Sequence, residues 1–444
     1  MLAGMDRLFA WVMGLWRSRL LRLLVVGLLA SLLLIPVAAI DGLISERMTQ
    51  RDAAHAEVTA TWGGPQHIAG PVLLVPYERV SLVKEKDGSV QELRRTFRVR
   101  LLPEDVAIES AIESEIRRRG MFQITVFTAD TRVSGSFARP DLSALGVLPE
   151  DIHWDRAQVV VELSEPRALR QQVKLSWGTE ARDFEPGAGE QRGLPGALRG
   201  IHADVQFRPG VTRFSFQLAH AGSRELRFAP VGKTSKVLVR ADWPHPSFQG
   251  QWLPRSSSIT SKGFQAAWAV PHLGRNYPQM SNDESVAFPS LMDAALGVDL
   301  ISPVDTYKMC ERSVKYAGLV LLLTFLVVWV LEVLGSFRLH SIQYLLTGAG
   351  LCVFFLLQLS LAEHLGFLLA HAIASALVVL LSTAYGFVAL GNLRRALVLG
   401  GVLTFVYAYL LILFQLETFA LLIGACAVFG ALALVMYSTR RVQW

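Results

Sequence analysis

Five apolar runs crowd the last third of this 444-residue chain, at 316–337, 341–361, 365–390, 396–416 and 418–437. Short polar breaks separate them, and each run reaches the about 20 residues that a helix needs to cross a hydrocarbon core of roughly 30 Å. Near the N-terminus, Leu23 to Ile40 gives one more uncharged run, of 18 residues, closed by Asp41. The pattern predicts an α-helical membrane protein with six transmembrane helices, one plus five. The fourth apolar stretch extends from Leu365 to Leu393, 29 residues. As one helix it would be roughly 43 Å long, so it is expected to tilt, bend near Gly386 or protrude.

Between the first and second runs the period changes. Leu43 to Trp62 has no helix breaker and is expected to continue the first helix as a polar extension, ended by Gly63-Gly64-Pro65. From Gly70 onward apolar residues alternate with polar ones. Phe97, Val99 and Leu101 share one face, and Phe122, Ile124 and Val126, then Val159, Val161 and Leu163, repeat the pattern. Val173–Trp177, Val205–Phe207, Phe214–Phe216, Leu226–Phe228 and Val237–Val239 continue it. Val80–Val83 and Val90–Leu102 read as strands around a turn at Lys86–Ser89. Short strands with Gly, Pro and Asp turns predict a large all-β or β-rich domain, a sandwich or an extended antiparallel sheet. Val106 to Arg119 fits a helix or two short strands equally. Glu185 to Gly200 reads as a loop.

Charge then orients the chain. Between Gly42 and Ser313 there are 33 Lys and Arg against 32 Asp and Glu, so the net charge of +6 sits almost wholly beside the apolar runs. Arg7, Arg17, Arg19 and Arg22 precede the first run, and the later breaks carry Arg338, Glu363, Arg394-Arg395, Glu417 and Arg440-Arg441 in turn. Basic breaks stay in the cytoplasm. The expected layout is a cytoplasmic segment 1–22, a first span at 23–40, a periplasmic domain at 41–315, the five further spans, and a cytoplasmic tail at 438–444. Arg312 and Lys315 then lie on the outer side, a minor violation that a long translocated domain tolerates. An uncleaved anchor is expected, since the first run outlasts a usual signal core even though Val37-Ala38-Ala39 offers a small-residue cleavage site. The same distribution leaves no basic groove for nucleic acid. Partners are expected to be the lipid bilayer and a protein or envelope component on the periplasmic side.

Candidate chemistry is sparse. No phosphate-binding loop, dinucleotide fingerprint, His-Glu-x-x-His or Gly-x-Ser-x-Gly occurs. Cys310, Cys352 and Cys426 give no disulfide framework. His55, His67, His153, His202, His220, His245 and His272 are widely separated, so neither metal nor cofactor is expected. The segment Trp243, Pro244, His245, Pro246, Ser247, Phe248 to Trp252 reads as a rigid proline-bounded loop and a candidate interaction surface, although packing suits the same aromatics. Among apolar runs, Glu332, Gln358, His371 and Gln415 stand out, with Glu332 and His371 the candidate intramembrane polar groups. Paired acids and broken helices, the marks of a transporter, are lacking, and Gly348-Ala349-Gly350 and Gly400-Gly401 read as close-packing positions.

Several runs are specific enough to suggest a family. They are Gly70-Pro-Val-Leu-Leu-Val-Pro-Tyr77, Asp242-Trp-Pro-His-Pro-Ser-Phe-Gln-Gly250 and Gly263-Phe-Gln-Ala-Ala-Trp268. Ser302-Pro-Val-Asp-Thr-Tyr307, Lys315-Tyr316 and His340-Ser-Ile-Gln-Tyr-Leu-Leu346 continue them. In these the chain resembles the CreD family of bacterial inner-membrane proteins. The resemblance implies one N-terminal span, a large periplasmic domain and a C-terminal membrane block. It also implies a role in cell envelope integrity or envelope-stress response, linked to a carbon-source-responsive two-component system. It brings no catalytic residues, and the chain is expected not to be an enzyme.

Overall fold

The computed structural model describes residues 19–84, 90–143, 146–187, 200–282, 291–301, 305–335, 339–415 and 420–440. The turn expected at Lys86–Ser89 and the charges Arg7, Arg17, Arg338, Glu417 and Arg441 lie outside them. The described residues fall into two compact units. One holds the chain up to Asp52 and everything after Pro303, and the other is Ala53–Pro303.

Helix α1 (Arg19–Trp62) runs through 44 residues, so the apolar run and its polar extension are one element despite Pro36 inside it. Gly63 ends it with φ 139°, a region open to glycine and strained for residues with a Cβ. A Cβ there would also stand 2.9 Å from the Ala221 carbonyl oxygen. Beside the helix end, the Trp62 ring lies 3.7 Å from the Arg117 guanidinium and 4.4 Å from that of Arg170. Its indole N–H donates to the Phe127 carbonyl at 3.2 Å.

The unit Ala53–Pro303 is built from strands. The first are β1 (Gln66–Lys84), β2 (Val90–Leu101), β3 (Asp105–Arg119), β4 (Phe122–Ala138) and β5 (Ala157–Leu163). Then come β6 (Lys174–Trp177), β7 (Glu180–Asp183), β8 (Glu185–Pro186), β9 (Gly200–Val205) and β10 (Val211–Ser223). The last are β11 (Glu225–Phe228), β12 (Thr234–Ala241), β13 (Pro246–Gly250), β14 (Ser256–Thr260), β15 (Gly263–Pro271), β16 (Met280–Asn282) and β17 (Leu296–Leu300). They form two sheets. One has the order β13-β17-β11-β1-β5-β9-β8, with β2 and β16 branching from β1, and the other β14-β15-β12-β3-β4-β10-β6-β7. Inward residues of both sheets join one apolar core, including Leu73, Val99, Val159, Leu226 and Val298 from the first and Ile108, Val133, Leu218, Val239 and Trp268 from the second.

The undecided stretch Val106–Arg119 is one long strand, β3. Its Val106, Ile108, Ser110 and Ile112 face inward at period two while Asp105, Glu109 and Glu113 point out. Pairing to β4 along fifteen residues overrides the helix-favouring Ala and Glu content. Glu185–Pro186, expected as loop, forms a short strand on β9. Two pairings are parallel, β1 with β11 and β12 with β3, so the sheets are mixed rather than purely antiparallel.

The other unit is helical. It contains α2 (Thr306–Lys315), α3 (Ala317–Gly335), α4 (Ser341–Leu365), α5 (Phe367–Leu390), α6 (Leu393–Gln415) and α7 (Ala420–Thr439). Gly366 (φ 78°) and Gly391 (φ 58°) bound α5 at 24 residues. The 29-residue run thereby becomes a helix of roughly 36 Å, unbroken through Gly386. Helix α4 continues past the expected end of its span, so Glu363 belongs to its last turn and not to a loop. Among the described residues, four helices are long and apolar enough to cross a membrane. A fifth is added if α2 and α3, bent by 42° at Tyr316, form one span. A large β-rich unit with several such helices is a membrane protein.

Candidate functional site

Asp242–Pro254 is not wholly loop. Pro246–Gly250 forms β13, hydrogen-bonded to β17 from Pro246↔Leu300 to Gly250↔Leu296. A proline is accepted there because it opens a strand at the sheet's rim. The aromatic side chains turn inward. Phe248 meets Phe264 and Trp268 edge to face, with centroids 5.9 and 5.7 Å apart. The Trp243 indole N–H donates to the Ile301 carbonyl at 3.0 Å. The Trp252 carbonyl accepts from the Trp268 indole at 3.0 Å, and its ring packs where a Cβ on Gly274 would stand. The Asp242 carboxylate accepts from the Ser114 backbone N–H and hydroxyl at 2.8 and 2.7 Å. His245 is exposed, Pro244, Pro246 and Ser247 are half-buried, and Gln249 and Gly250 are exposed. The segment therefore presents polar backbone and His245 outward while its aromatics anchor it.

The outer histidines are not gathered, and among the described residues no group of three His, Cys, Asp or Glu could hold a metal. His220 is the buried one. Its Nε2 lies 3.2 Å from Thr131 Oγ1, which lies 2.9 Å from Ser110 Oγ. Burial pushes its pKa down to about 4, against a smaller opposing pull from Asp130, so the ring is neutral at ordinary pH. His67 instead pairs with Glu225 at 2.7 Å near the unit's surface.

The helical unit carries a polar line through apolar surroundings. Ser313 Oγ on α2 donates to Gln358 Oε1 on α4 at 2.6 Å. Gln358 Nε2 lies 2.9 Å from His371 Nδ1 on α5, and His371 Nε2 lies 3.0 Å from the Tyr407 carbonyl on α6. All three polar side chains are buried. Helical periodicity selects them: Tyr307, Cys310, Ser313 and Val314 form the buried stripe of α2. Near Tyr307, Glu363 accepts from its hydroxyl at 3.2 Å and pairs with Arg47 at 3.5 Å, while Arg51 pairs with Asp305 at 2.7 Å. Arg47 and Arg51 are four residues apart on α1, a spacing visible in the sequence but unremarked there.

Glu332 is also buried, and it accepts from the Tyr344 hydroxyl at 2.9 Å. It does not converge with His371. Tyr344 and Gln358 are fourteen residues apart on α4, roughly 21 Å along the helix. The Gln415 side chain lies outside the described residues. Gly348 has Leu33 and Phe325 against it and Gly400 has Thr383, so these two pack closely as expected, whereas Gly350 and Gly401 have nothing within 4 Å and do not. Cys310, Cys352 and Cys426 are free thiols.

Three comparisons bear on this chain. A protein of Legionella pneumophila, known as a crystal structure and described as a candidate nutrient binding protein, aligns with 57% of this chain and 80% of its own. Its identity is 8% and its TM-score 0.28, too low to speak to the fold. Inner membrane protein CreD of Escherichia coli (strain K12) is 30% identical over 420 residues, covering 93% of this chain and 91% of that protein. The family described as Inner membrane protein CreD matches residues 18–444, and with that extent of match the chain belongs to the CreD family of inner membrane proteins.

Proposed function

We propose that this protein is a non-enzymatic, six-span inner-membrane protein with both termini in the cytoplasm. Its β-rich unit acts on the periplasmic side in cell envelope integrity or envelope-stress response, by binding a partner or sensing envelope state. The observation that carries this reading is the insertion of one large unit, Ala53–Pro303, with its own closed core, between an apolar helix and an apolar helical block. The alternation of Arg394-Arg395 with Glu363 supports the orientation.

The test is to replace α3–α7 with unrelated spans of the same number and orientation and to measure envelope-stress tolerance in cells lacking the natural protein. Retained tolerance is expected. Its loss, with the hybrid present at normal abundance, sinks the reading.

A second reading, transport or lipid handling by the helical block, is favoured by the Ser313–Gln358–His371 line. It ranks lower because Glu332 lies well apart from that line and each of its side chains already has a hydrogen-bond partner. Neutralising Glu332 and His371 together should abolish function if this second reading holds.

A further inference from the structure

Among the described residues, five strands end the two sheets, counting β16 at the end of the branch through β2, and they differ in how they guard their open sides. β7 reads Glu-Ala-Arg-Asp, β8 contains Pro186, and β13 starts with Pro246 and ends with Gly250. Charge, proline and glycine at a rim discourage further pairing. β14 and the three-residue β16, Met280-Ser-Asn282, have none of them, and of the two only β14 is exposed throughout. It reads Ser256-Ser-Ser-Ile-Thr260, all five residues are exposed, and among the described residues it pairs with β15 alone.

Register says which groups are open. Thr260↔Gly263 closes the hairpin around Ser261 and Lys262. Antiparallel pairs alternate between bonded and non-bonded, so Ser258 and Ser256 bond to β15 while Ser257 and Ile259 turn N–H and C=O outward. Ser257 and Ile259 also lie opposite the buried Ala266 and Phe264, on the core side of the sheet. Yet Ile259 is 53% exposed. The core-facing row stops one strand short of covering it. At the far end of the edge, Trp252 packs on Gly274, and the adjoining Leu253 and Leu273 are 77% and 85% exposed. Arg255 precedes the strand and Lys262 follows it, both exposed.

We propose that β14 is a docking edge for an extended segment of another polypeptide, uncharged along its centre, apolar opposite Ile259 and acidic at both ends. The added strand would join the sheet through the free groups of Ser257 and Ile259 and bury the latter's side chain, the arrangement of β-augmentation. Charge selects against a second copy. In antiparallel self-pairing centred on Ser258, Arg255 of one chain would stand beside Lys262 of the other, a like-charge contact. The inference rests on the reading of the β-rich unit as a binding unit and names its surface.

The experiment uses the purified full chain in detergent and two fluorescent heptapeptides, Asp-Ser-Ile-Thr-Ile-Ser-Asp and the same sequence with lysine ends. Anisotropy titration should show the acidic-ended peptide binding at least about tenfold more tightly. Ser257→Pro removes only an outward N–H and should cost about tenfold or more in affinity with the thermal midpoint unchanged. Ser258→Ala should bind as the natural chain does. Equal binding of both peptides, no binding, or binding indifferent to Ser257→Pro overturns the proposal. So does a dimer in light scattering that Ser257→Pro dissolves, since the edge would then belong to a second copy. Each of those failures leaves the periplasmic reading standing, because the span replacement tests it separately.

Discussion

The Gln358 amide nitrogen and the His371 ring meet at 2.9 Å inside the helical unit, and the opposite ring nitrogen faces a carbonyl. A carbonyl only accepts, so Nε2 carries the proton and Nδ1 accepts from the amide. A neutral ring satisfies both sites, and the pair joins α4, α5 and α6. Removing one partner strands the other in apolar surroundings. Gln358→Leu or His371→Phe alone should each cost about 1–3 kcal/mol. The pair Gln358→Leu with His371→Phe should cost less than the two single changes summed. Thermal unfolding in mild detergent measures this double-mutant cycle, and simple additivity would mean the contact contributes nothing.

Gly250 stands with φ 105°, and a Cβ there would sit 2.1 Å from the Ala295 carbonyl oxygen. Backbone cannot yield as a side chain could. Gly250→Ala should destabilise the β-rich unit by about 3 kcal/mol or more, read as protease sensitivity or lost expression. Gly210→Ala is the control. Its φ is 101° but nothing lies within 4 Å, so only local strain of about 1 kcal/mol is expected there.

His220 makes the β-rich unit sensitive to acid. Its folded pKa of about 4 lies below the ordinary value of 6.5, so the unfolded chain binds the proton more readily. The associated stability is fully present above about pH 6.5 and is lost as pH falls toward 4, by roughly 3 kcal/mol in all. Denaturant titrations of the natural chain and of His220→Gln at pH 7 and pH 4.5 should show the smaller pH dependence in the variant. Equal slopes would remove His220 as the cause.

Trp62 fastens the end of α1 to β3 and β4 through Arg117 and the Phe127 carbonyl. Trp62→Ala should cost about 3 kcal/mol. Trp62→Phe should recover the ring contacts but not the indole hydrogen bond, and so should fall between the two. A variant as stable as the natural chain would show that the contacts are incidental.

Local pattern carried much of this architecture. Phe97, Val99 and Leu101 announced β2 by alternation alone, and Gly63-Gly64-Pro65 announced the end of α1. What failed to show were relations between distant segments. Pro244 and Pro246 suggested a loop because the partner strand β17, which accepts Pro246 at its rim, is fifty residues further on. Nothing in Gln66–Ile68 reveals that it runs parallel to Leu226–Phe228. The candidate groups divided the same way. Gln358 and His371 were conspicuous as polar residues in apolar runs, but that they meet, and that Glu332 stays apart, depends on how α4 and α5 pack. Ser313 gave no signal, since a serine at a helix face is unexceptional until its partner is known.

The place of β17 sets a schedule for making the protein. It is the last strand of the β-rich unit in sequence, yet it lies inside its sheet between β13 and β11. Until Leu296–Leu300 is synthesised, β11 keeps a bare side and β13 has no neighbour. A chain stopped short of Leu296 therefore displays β11 with one open side and β13 with no partner strand, the condition that leads to aggregation. Truncations and reporter fusions placed before residue 296 should be insoluble, while those placed after Leu300 give the sheet its closing strand. Only five residues then separate that strand from Thr306, so the β-rich unit finishes just as the helical block begins.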